Sequence, residues 1–482
     1  MITQEITLTI KDSRVYINQP VSTGLINYLS NHLSYEIPNK YIVLKRLRAK
    51  GNDWDGTVRF LNQTKYGYYT PIGFLNRIKR LIKNYYDMVE IPFIININDN
   101  RLNYEPHKPL KKLSSIELRW YQNEAIEKIN KHKIGIIDIV TSGGKTLIAA
   151  EHYRRNPVPS LFVVDRKVLL NQTVSEFENY MNVKCSTITE GNIIENDNMY
   201  IATVQTILRK LKEKDRKLLT ILKTISNVYI DEAHISKSKS YSMLIRNCIN
   251  ACVIIGLTGT PGSGIGPDME QTKNVGDVIY RIDAQTLQAE DTIMKPEIIF
   301  IDYGSKPRYM YGDYNDIYNQ AIMDETRNQA IINVAKYHHN KLILILVSRI
   351  KHGELLFSKI KEFKDEVYLI KGVTDNNTRE HILDRGRKGE KLVIIGTDSI
   401  VSRGLNLKPL EVVINATGNA SSVTTIQSLG RVLRKATGKT NALFYDLVDR
   451  TPYLAEHKDR RINAFESQGY TITYQNIKSI RE

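Results

Sequence analysis

The chain has 482 residues, with 68 lysines and arginines against 52 aspartates and glutamates and a hydrophobic content of 41%. That length accommodates about three domains, and the balanced composition excludes a disordered or low-complexity polymer. A formal charge of +16 points to a polyanionic partner, most often nucleic acid, while three cysteines (Cys185, Cys248 and Cys252) exclude a disulfide framework and fit buried or incidental thiols of a reducing compartment.

Residues 1–112 read as a separate, basic α+β domain. Ile6-Thr7-Leu8-Thr9-Ile10 alternates as a strand does, and Tyr41 to Leu47 and Thr57 to Leu61 read as further strands around the turn chemistry of Lys50-Gly51-Asn52-Asp53-Trp54-Asp55-Gly56. Phe74, Ile78, Leu81 and Ile82 share one face of a helix whose remaining surface carries Arg77, Lys79, Arg80 and Lys83. A polar, proline-containing stretch up to Lys112 marks a linker.

From Leu118 short apolar runs alternate with helical patterns. Ile134 to Val140, Leu161 to Val164, Tyr200 to Thr203, Asn227 to Ile230 and Cys252 to Leu257 are near-continuous apolar strands, the mark of a parallel sheet covered on both faces. The alternation restarts at Lys341 to Val347 and continues through Val367 to Ile370, Leu392 to Gly396, Glu411 to Ile414 and Ala442 to Tyr445. The expected organisation is an α/β chain with two parallel-sheet lobes in tandem, 113–293 and 294–450, preceded by the small α+β domain. A charged tail, 451–482, is expected to pack on the second lobe as a helix and a short strand. No apolar stretch reaches the ~18 residues of a membrane span, and the first residues lack the basic start and apolar core of a signal peptide. A cytoplasmic, membrane-independent protein is therefore expected.

Three motifs carry chemistry. Thr141-Ser142-Gly143-Gly144-Lys145-Thr146 follows an apolar strand and opens a helix, so backbone N–H groups and the helix N-terminus can cradle phosphate. Lys145 then reaches the outer phosphates and the Thr146 hydroxyl binds Mg²⁺; position 139, glycine in the strict pattern, is Ile139. Val228-Tyr229-Ile230-Asp231-Glu232-Ala233-His234 ends a strand in two carboxylates, where Asp231 suits the Mg²⁺ shell and Glu232 suits orientation of attacking water. Gln427, Gly430, Arg431 and Arg434 form Gln-x-x-Gly-Arg-x-x-Arg, with helical spacing expected to put Gln427, Arg431 and Arg434 on one face, suited to charge developing on a γ-phosphate. Together they imply ATP and Mg²⁺ as cofactors, clamped between the lobes.

In this order the motifs resemble those of superfamily 2 helicases over about 118–450, which implies two RecA-like lobes. Leu118-Arg119-Trp120-Tyr121-Gln122 looks like the adenine-side motif, with Trp120 and Gln122 at the base. Arg166 and Lys167, and Thr203, Gln205 and Thr206, lie in segments similar to motifs Ia and Ib, which touch the nucleic-acid backbone. Thr258-Gly259-Thr260-Pro261 resembles motif III, Val347-Ser348-Arg349 motif IV, and Thr397 through Gly404-Leu405-Asn406 motif V. Ser348, Arg349 and Thr397 are thereby nucleic-acid contacts, and Gly404 and Asn406 nucleotide contacts, although asparagine stands at 406 where aspartate is common.

Within the superfamily the chain resembles the phage branch-migration helicases, through the same P-loop region and through Gly51 to Arg59 with Pro71-Ile72-Gly73. The resemblance implies an ATP-dependent DNA helicase or translocase acting on Holliday junctions, forks or displacement loops in recombination, repair or replication, in host cytoplasm, with a monomer favoured. Lys45, Arg48, Arg59, Arg77 and Arg80 are its candidate DNA contacts in the front domain, with Trp54, Tyr66, Tyr68 and Tyr69 as either stacking platforms or core. Single-stranded DNA or RNA remains an alternative partner, as do an RNA helicase or a duplex translocase without strand separation.

Overall fold

A computed structural model describes residues 3–477 apart from 50, 52, 66, 106, 113–114, 141–142, 305–311 and 398–406. Two compact units emerge, one of Met1–Ile139 with Gly144–Arg281 and one of Ile282–Glu482 with the short Val140–Gly143 segment.

The first unit contains two sheets. The amino-terminal sheet has five strands in the order Asn62–Thr64, Gly67–Pro71, Arg14–Asn18, Gln4–Lys11 and Phe93–Asp99. All its neighbours are antiparallel except Gln4–Lys11 beside Phe93–Asp99. Alternation along Gln4–Lys11 turns Ile6, Leu8 and Ile10 inward, where helix Leu75–Met88 covers them with the apolar stripe Ile78, Leu81 and Ile82. Tyr41 to Leu47, expected as a strand, is helix Lys40–Arg48. Its β-branched and aromatic composition suggested a strand, but only Val43, Leu44 and Leu47 turn inward, at helical spacing, while Tyr41 and Ile42 face water. The short strands Ser34–Glu36 and Thr57–Arg59 pair on either side of it in the chain.

The second sheet of this unit has eight strands, ordered Ile193–Ile194, Ser186–Ile188, Met199–Thr203, Ser160–Val164, Asn227–Asp231, Val253–Thr258, Ile134–Ile139 and Val278–Ile282. Its central pairs are parallel, which brings the carboxyl ends of Ile134–Ile139 and Asn227–Asp231 to one edge, flanking Val253–Thr258. Both sheets share one hydrophobic core, and polar contacts tie them together. Asn76 Nδ2 donates to the carbonyls of His132 (3.1 Å) and Ile134 (2.8 Å), and Ser13 Oγ donates to Ile245 O at 2.7 Å. A side chain at Gly73 would put its Cβ 2.0 Å from Thr272 O, so only glycine allows that approach. One hydrophobic core therefore holds residues from both sides of position 112.

The second unit is a seven-stranded sheet, ordered Val367–Ile370, Val393–Thr397, Ile343–Val347, Val412–Asn415, Leu443–Leu447, Glu297–Asp302 and Ile472–Asn476. Every described neighbour is parallel. The tail contributes helix Leu454–Glu466 and the edge strand Ile472–Asn476. The chain is therefore α/β, with two parallel-sheet, RecA-like lobes preceded by a small α+β region. Among the described residues no helix is long and apolar enough to cross a membrane.

Candidate functional site

Strand Ile134–Ile139 is buried along its length and leads to helix Lys145–Arg155. Ile139, in the place of the pattern's glycine, sends its side chain into the sheet core, while its carbonyl accepts a 3.1 Å hydrogen bond from Lys145 Nζ. Gly144 takes φ +80, and a Cβ there would stand 2.4 Å from Gln122 Nε2. The loop therefore requires glycine twice over, for its backbone angle and for the approach of Gln122. Gln122 is buried, and its Oε1 accepts from Arg119 N at 3.0 Å at the start of helix Trp120–His132. Trp120, beside it in the chain, is half exposed. Thr141 and Ser142 lie outside the described residues.

Asp231 is the last residue of Asn227–Asp231, and Glu232 follows at φ +50, ψ +53. A non-glycine residue in that left-handed region carries backbone strain of order 1–3 kcal/mol, a feature concentrated at functional sites. Desolvation first, and then the Glu232 carboxylate, push the Asp231 carboxyl up to about 7, with Lys145 pulling the other way. His234 Nδ1 sits 3.3 Å from Glu232 Oε2. On the neighbouring strand, buried Thr258 accepts from Thr260 N through its Oγ1 at 3.1 Å.

This arrangement suits a magnesium nucleotide. A helix N-terminus offers unpaired N–H groups to phosphate, Lys145 is a cation at the start of that helix, and two adjacent carboxylates gain from a divalent ion. The donors available to Mg²⁺ are the Thr146 hydroxyl and Asp231. Among the described residues no group of three or more histidine, cysteine, aspartate or glutamate side chains could hold a metal ion.

In the second unit, Gln427, Gly430 and Arg431 lie on helix Ser422–Val432, Gln427 and Arg431 one turn apart. Arg434 lies two residues beyond the end of that helix, which stops at Val432 with Leu433 as its cap. The ending is enforced by Lys439, whose Nζ donates to Val432 O (2.6 Å) and Arg434 O (2.8 Å). Burial lowers the Lys439 ammonium to about 8. Sequence reasoning missed this residue, although a lysine just after a glycine past a helix end is a recognisable carbonyl cap. Ser348 Oγ donates to Thr417 O at 2.8 Å, and Arg349 is exposed, its guanidinium 5.5 Å from the Tyr318 ring centroid. Thr397 ends strand Val393–Thr397. Gly404 and Asn406 lie outside the described residues.

The expected nucleic-acid contacts divide by exposure. Arg166, Lys167 and Gln205 reach solvent, and Gln205 Nε2 donates to Asp165 Oδ1 at 3.2 Å. Thr203 and Thr206 do not reach it: their hydroxyls are buried and 2.8 Å apart, and Thr203 caps helix Val204–Lys212. Their side chains are structural, leaving only backbone for a ligand. In the front domain Lys45 and Arg48 are exposed, Arg80 is largely so, and Arg59 is half exposed beside Asp55. Arg77 is corrected. It is 8% exposed, ion-paired with Asp277, and donates to Gly264 O at 2.7 Å, so it joins the front domain to the adjoining lobe and cannot reach DNA. Trp54 Nε1 donates to Thr57 O at 3.0 Å, and Tyr69 packs 5.8 Å from Tyr16. Tyr66 lies outside the described residues.

Known proteins share this plan. Residues 115–263 match the family of the type III restriction enzyme res subunit, and residues 304–436 match the helicase conserved C-terminal domain. The ATP-dependent DNA helicase uvsW of Enterobacteria phage T4 is 26% identical over 430 residues, covering 83% of each chain. The DNA 3'-5' translocase XPB2 of Sulfurisphaera tokodaii is 23% identical, over 82% of this chain and 92% of the relative. In fold, the ATP-dependent type ISP restriction-modification enzyme LlaBIII, solved bound to DNA, gives a TM-score of 0.57 at 13% identity, over 82% of this chain and 36% of that one. With a phosphate loop and paired carboxylates on one parallel sheet and a second such sheet later in the chain, the chain belongs to the superfamily 2 helicases. It is an ATP-dependent helicase, a hydrolase.

Proposed function

We propose that the protein is a DNA helicase or translocase that works on branched DNA: forks, Holliday junctions or displacement loops. The observation that carries the motor reading is the placement of Gly144, Lys145, Asp231 and Glu232 at the carboxyl ends of the two strands that flank Val253–Thr258. DNA as the track rests on the relatives, a phage DNA helicase and an archaeal DNA translocase, and on the net charge of +16.

Bound ATP with Mg²⁺ supplies the phosphoanhydride whose cleavage drives the cycle. Gly143, Gly144 and Lys145 hold its phosphates, Thr146 and Asp231 hold the metal, and Glu232 orients and deprotonates the attacking water. Trp120 and Gln122 meet the base. Gln427 and Arg431 stabilise charge on the transferred phosphoryl group, and Arg434 acts from beyond the helix end. Arg166, Lys167, Gln205 and Arg349 contact the nucleic-acid backbone, with Ser348 and Thr397 near it.

Branch preference is assigned to residues 1–112, with Lys45, Arg48, Arg59 and Arg80 as the cationic surface. Cutting that domain away would uncover the shared core, so the test uses the full chain. ATPase and unwinding are measured on matched fork, Holliday-junction, linear duplex, single-stranded DNA and RNA substrates. Stronger stimulation and unwinding on the branched DNAs is expected. Equal rates on linear duplex would remove the branched-DNA assignment, and stronger stimulation by RNA would replace DNA as the track.

A further inference from the structure

Helix Lys40–Arg48 has an outer face that its own fold does not explain. Val43, Leu44 and Leu47 turn toward the domain, enough to hold a nine-residue helix in place. The opposite face starts with Tyr41, 88% exposed, and Ile42, 57% exposed, and continues one turn later with Lys45, Arg46 and Arg48. None of these three cations has an acidic partner among the described residues, whereas Lys40 is held by Glu36 at 2.7 Å. Cations in a last turn complement the helix dipole, which accounts for Lys45, Arg46 and Arg48. It does not account for an aromatic ring and a branched aliphatic set side by side in water at the other end.

Several other described aromatics of the domain pack internally. Tyr35 packs 6.1 Å from Phe60, Phe60 lies 5.0 Å from Phe74, Tyr86 stacks 5.2 Å from Phe93, and Tyr69 lies under Arg14. Tyr41 has no ring contact among the described residues. Its helix is anchored at both ends: Ser34–Glu36 pairs with Thr57–Arg59, and Ile37 N donates to Gly56 O at 3.0 Å. An exposed aromatic on a helix, next to a row of cations, matches the two halves of a nucleic acid, a base face and its neighbouring phosphates.

We propose that Tyr41, supported by Ile42, stacks on an unpaired base where strands part, with Lys45, Arg46 and Arg48 on the adjoining phosphates. The inference rests on the branched-DNA reading and names the element that performs it. A duplex interior presents no base face, so Tyr41 discriminates open junctions from linear DNA, while the cations serve both.

The full-length protein is tested with forks carrying 2-aminopurine at the branch. Tyr41→Ala, at a solvent-facing position, leaves the fold intact and is expected to lose about tenfold in fork affinity, the scale of one stacked base. It should also abolish quenching of the probe, while linear-duplex affinity stays unchanged and Tyr41→Phe behaves as the parent. Replacing Lys45, Arg46 and Arg48 together by Ala weakens every DNA and flattens the salt dependence by roughly three phosphate contacts. If the parent prefers forks and Tyr41→Ala keeps both preference and quenching, the Tyr41 contact is wrong and the branched-DNA reading survives. If the parent shows no preference yet Tyr41→Ala removes the quenching, the branched-DNA reading falls and the base contact stands. An equal loss on linear duplex, or binding of DNA unchanged in every variant, overturns the contact and leaves the face to a protein partner.

Discussion

Two clusters of charge, one in each parallel-sheet lobe, are treated in opposite ways. In the second lobe Arg461 and Arg327 are fully enclosed and fully matched. Arg461 spans both oxygens of Asp446 at 2.9 and 2.8 Å and also reaches Asn419 O at 2.6 Å. Arg327 donates to Asp449 Oδ1 at 2.8 Å and to Ala416 O at 3.2 Å, and Tyr303 and Asn415 add second hydrogen bonds to Asp449 Oδ1 and Asp446 Oδ2. In the first lobe Asp231 and Glu232 stand side by side, and burial together with their mutual repulsion drives the Asp231 carboxyl upward. A matched buried pair fixes structure, and a mismatched one awaits a ligand.

The largest effects should come from the mismatched side. Glu232→Gln should lower ATP turnover by ~10²–10⁴-fold while ATP stays bound, read by steady-state hydrolysis beside nucleotide retention on a filter. Lys145→Ala should cost ~10²–10³-fold in kcat without loss of DNA binding in a gel shift. Turnover equal to the parent in either variant would erase the contrast between the lobes. Arg461→Ala should instead leave the nucleotide residues alone and cost ~3–5 kcal/mol of stability, because Asp446 is stranded in the core; denaturant unfolding measures it.

A gentler contrast is set by pH. Burial lowers His152 in the first lobe to about 3, and His352 and His338 in the second to about 3 and about 4. The folded values lie below the ordinary ~6.5, so the unfolded chain takes up protons first. Stability is complete above about pH 6.5 and is lost as pH falls toward the folded values, by up to about 1.4 kcal/mol per pH unit for each histidine. Two buried residues of this kind against one, with His132 of the first lobe also lowered but only half-buried, make the second lobe the more acid-sensitive. Hydrogen exchange between pH 7 and 5 should show helix Ile350–Lys361 losing protection faster than helix Lys145–Arg155; the reverse order would break the comparison. Smallest of all, Thr203→Ala removes a helix cap and should cost about 1 kcal/mol, with DNA affinity unchanged.

The lobes were legible because a buried parallel strand must be apolar throughout, and Ile343–Val347 or Asn227–Asp231 can be little else. The phosphate loop and carboxylates were legible because ligand chemistry restricts residue type at fixed spacing. What escaped depended on distant partners. Arg77 resembles any solvated cation of a basic helix until Asp277, 200 residues on, is seen beside it. Thr203 and Thr206 look like ligand contacts until their mutual hydrogen bond appears. Tyr41 to Leu47 has strand composition and helical burial, and the period of three inward residues prevailed over propensity. The helix end at Val432 depended on Lys439, beyond the motif itself.

Asn76 grips the carbonyl of Ile134, the first residue of the strand that runs directly to the phosphate loop, and Gly73 lets its turn lie against helix Met269–Val275. Mechanically, the polar linker along the chain is short-circuited. A load applied to the front sheet would reach the root of the nucleotide strand through packed side chains, with no slack to take up first. The front domain is consequently a poor candidate for exchange between relatives as a cassette: a chimera would have to bring the matching surface at 264, 272 and 277 with it.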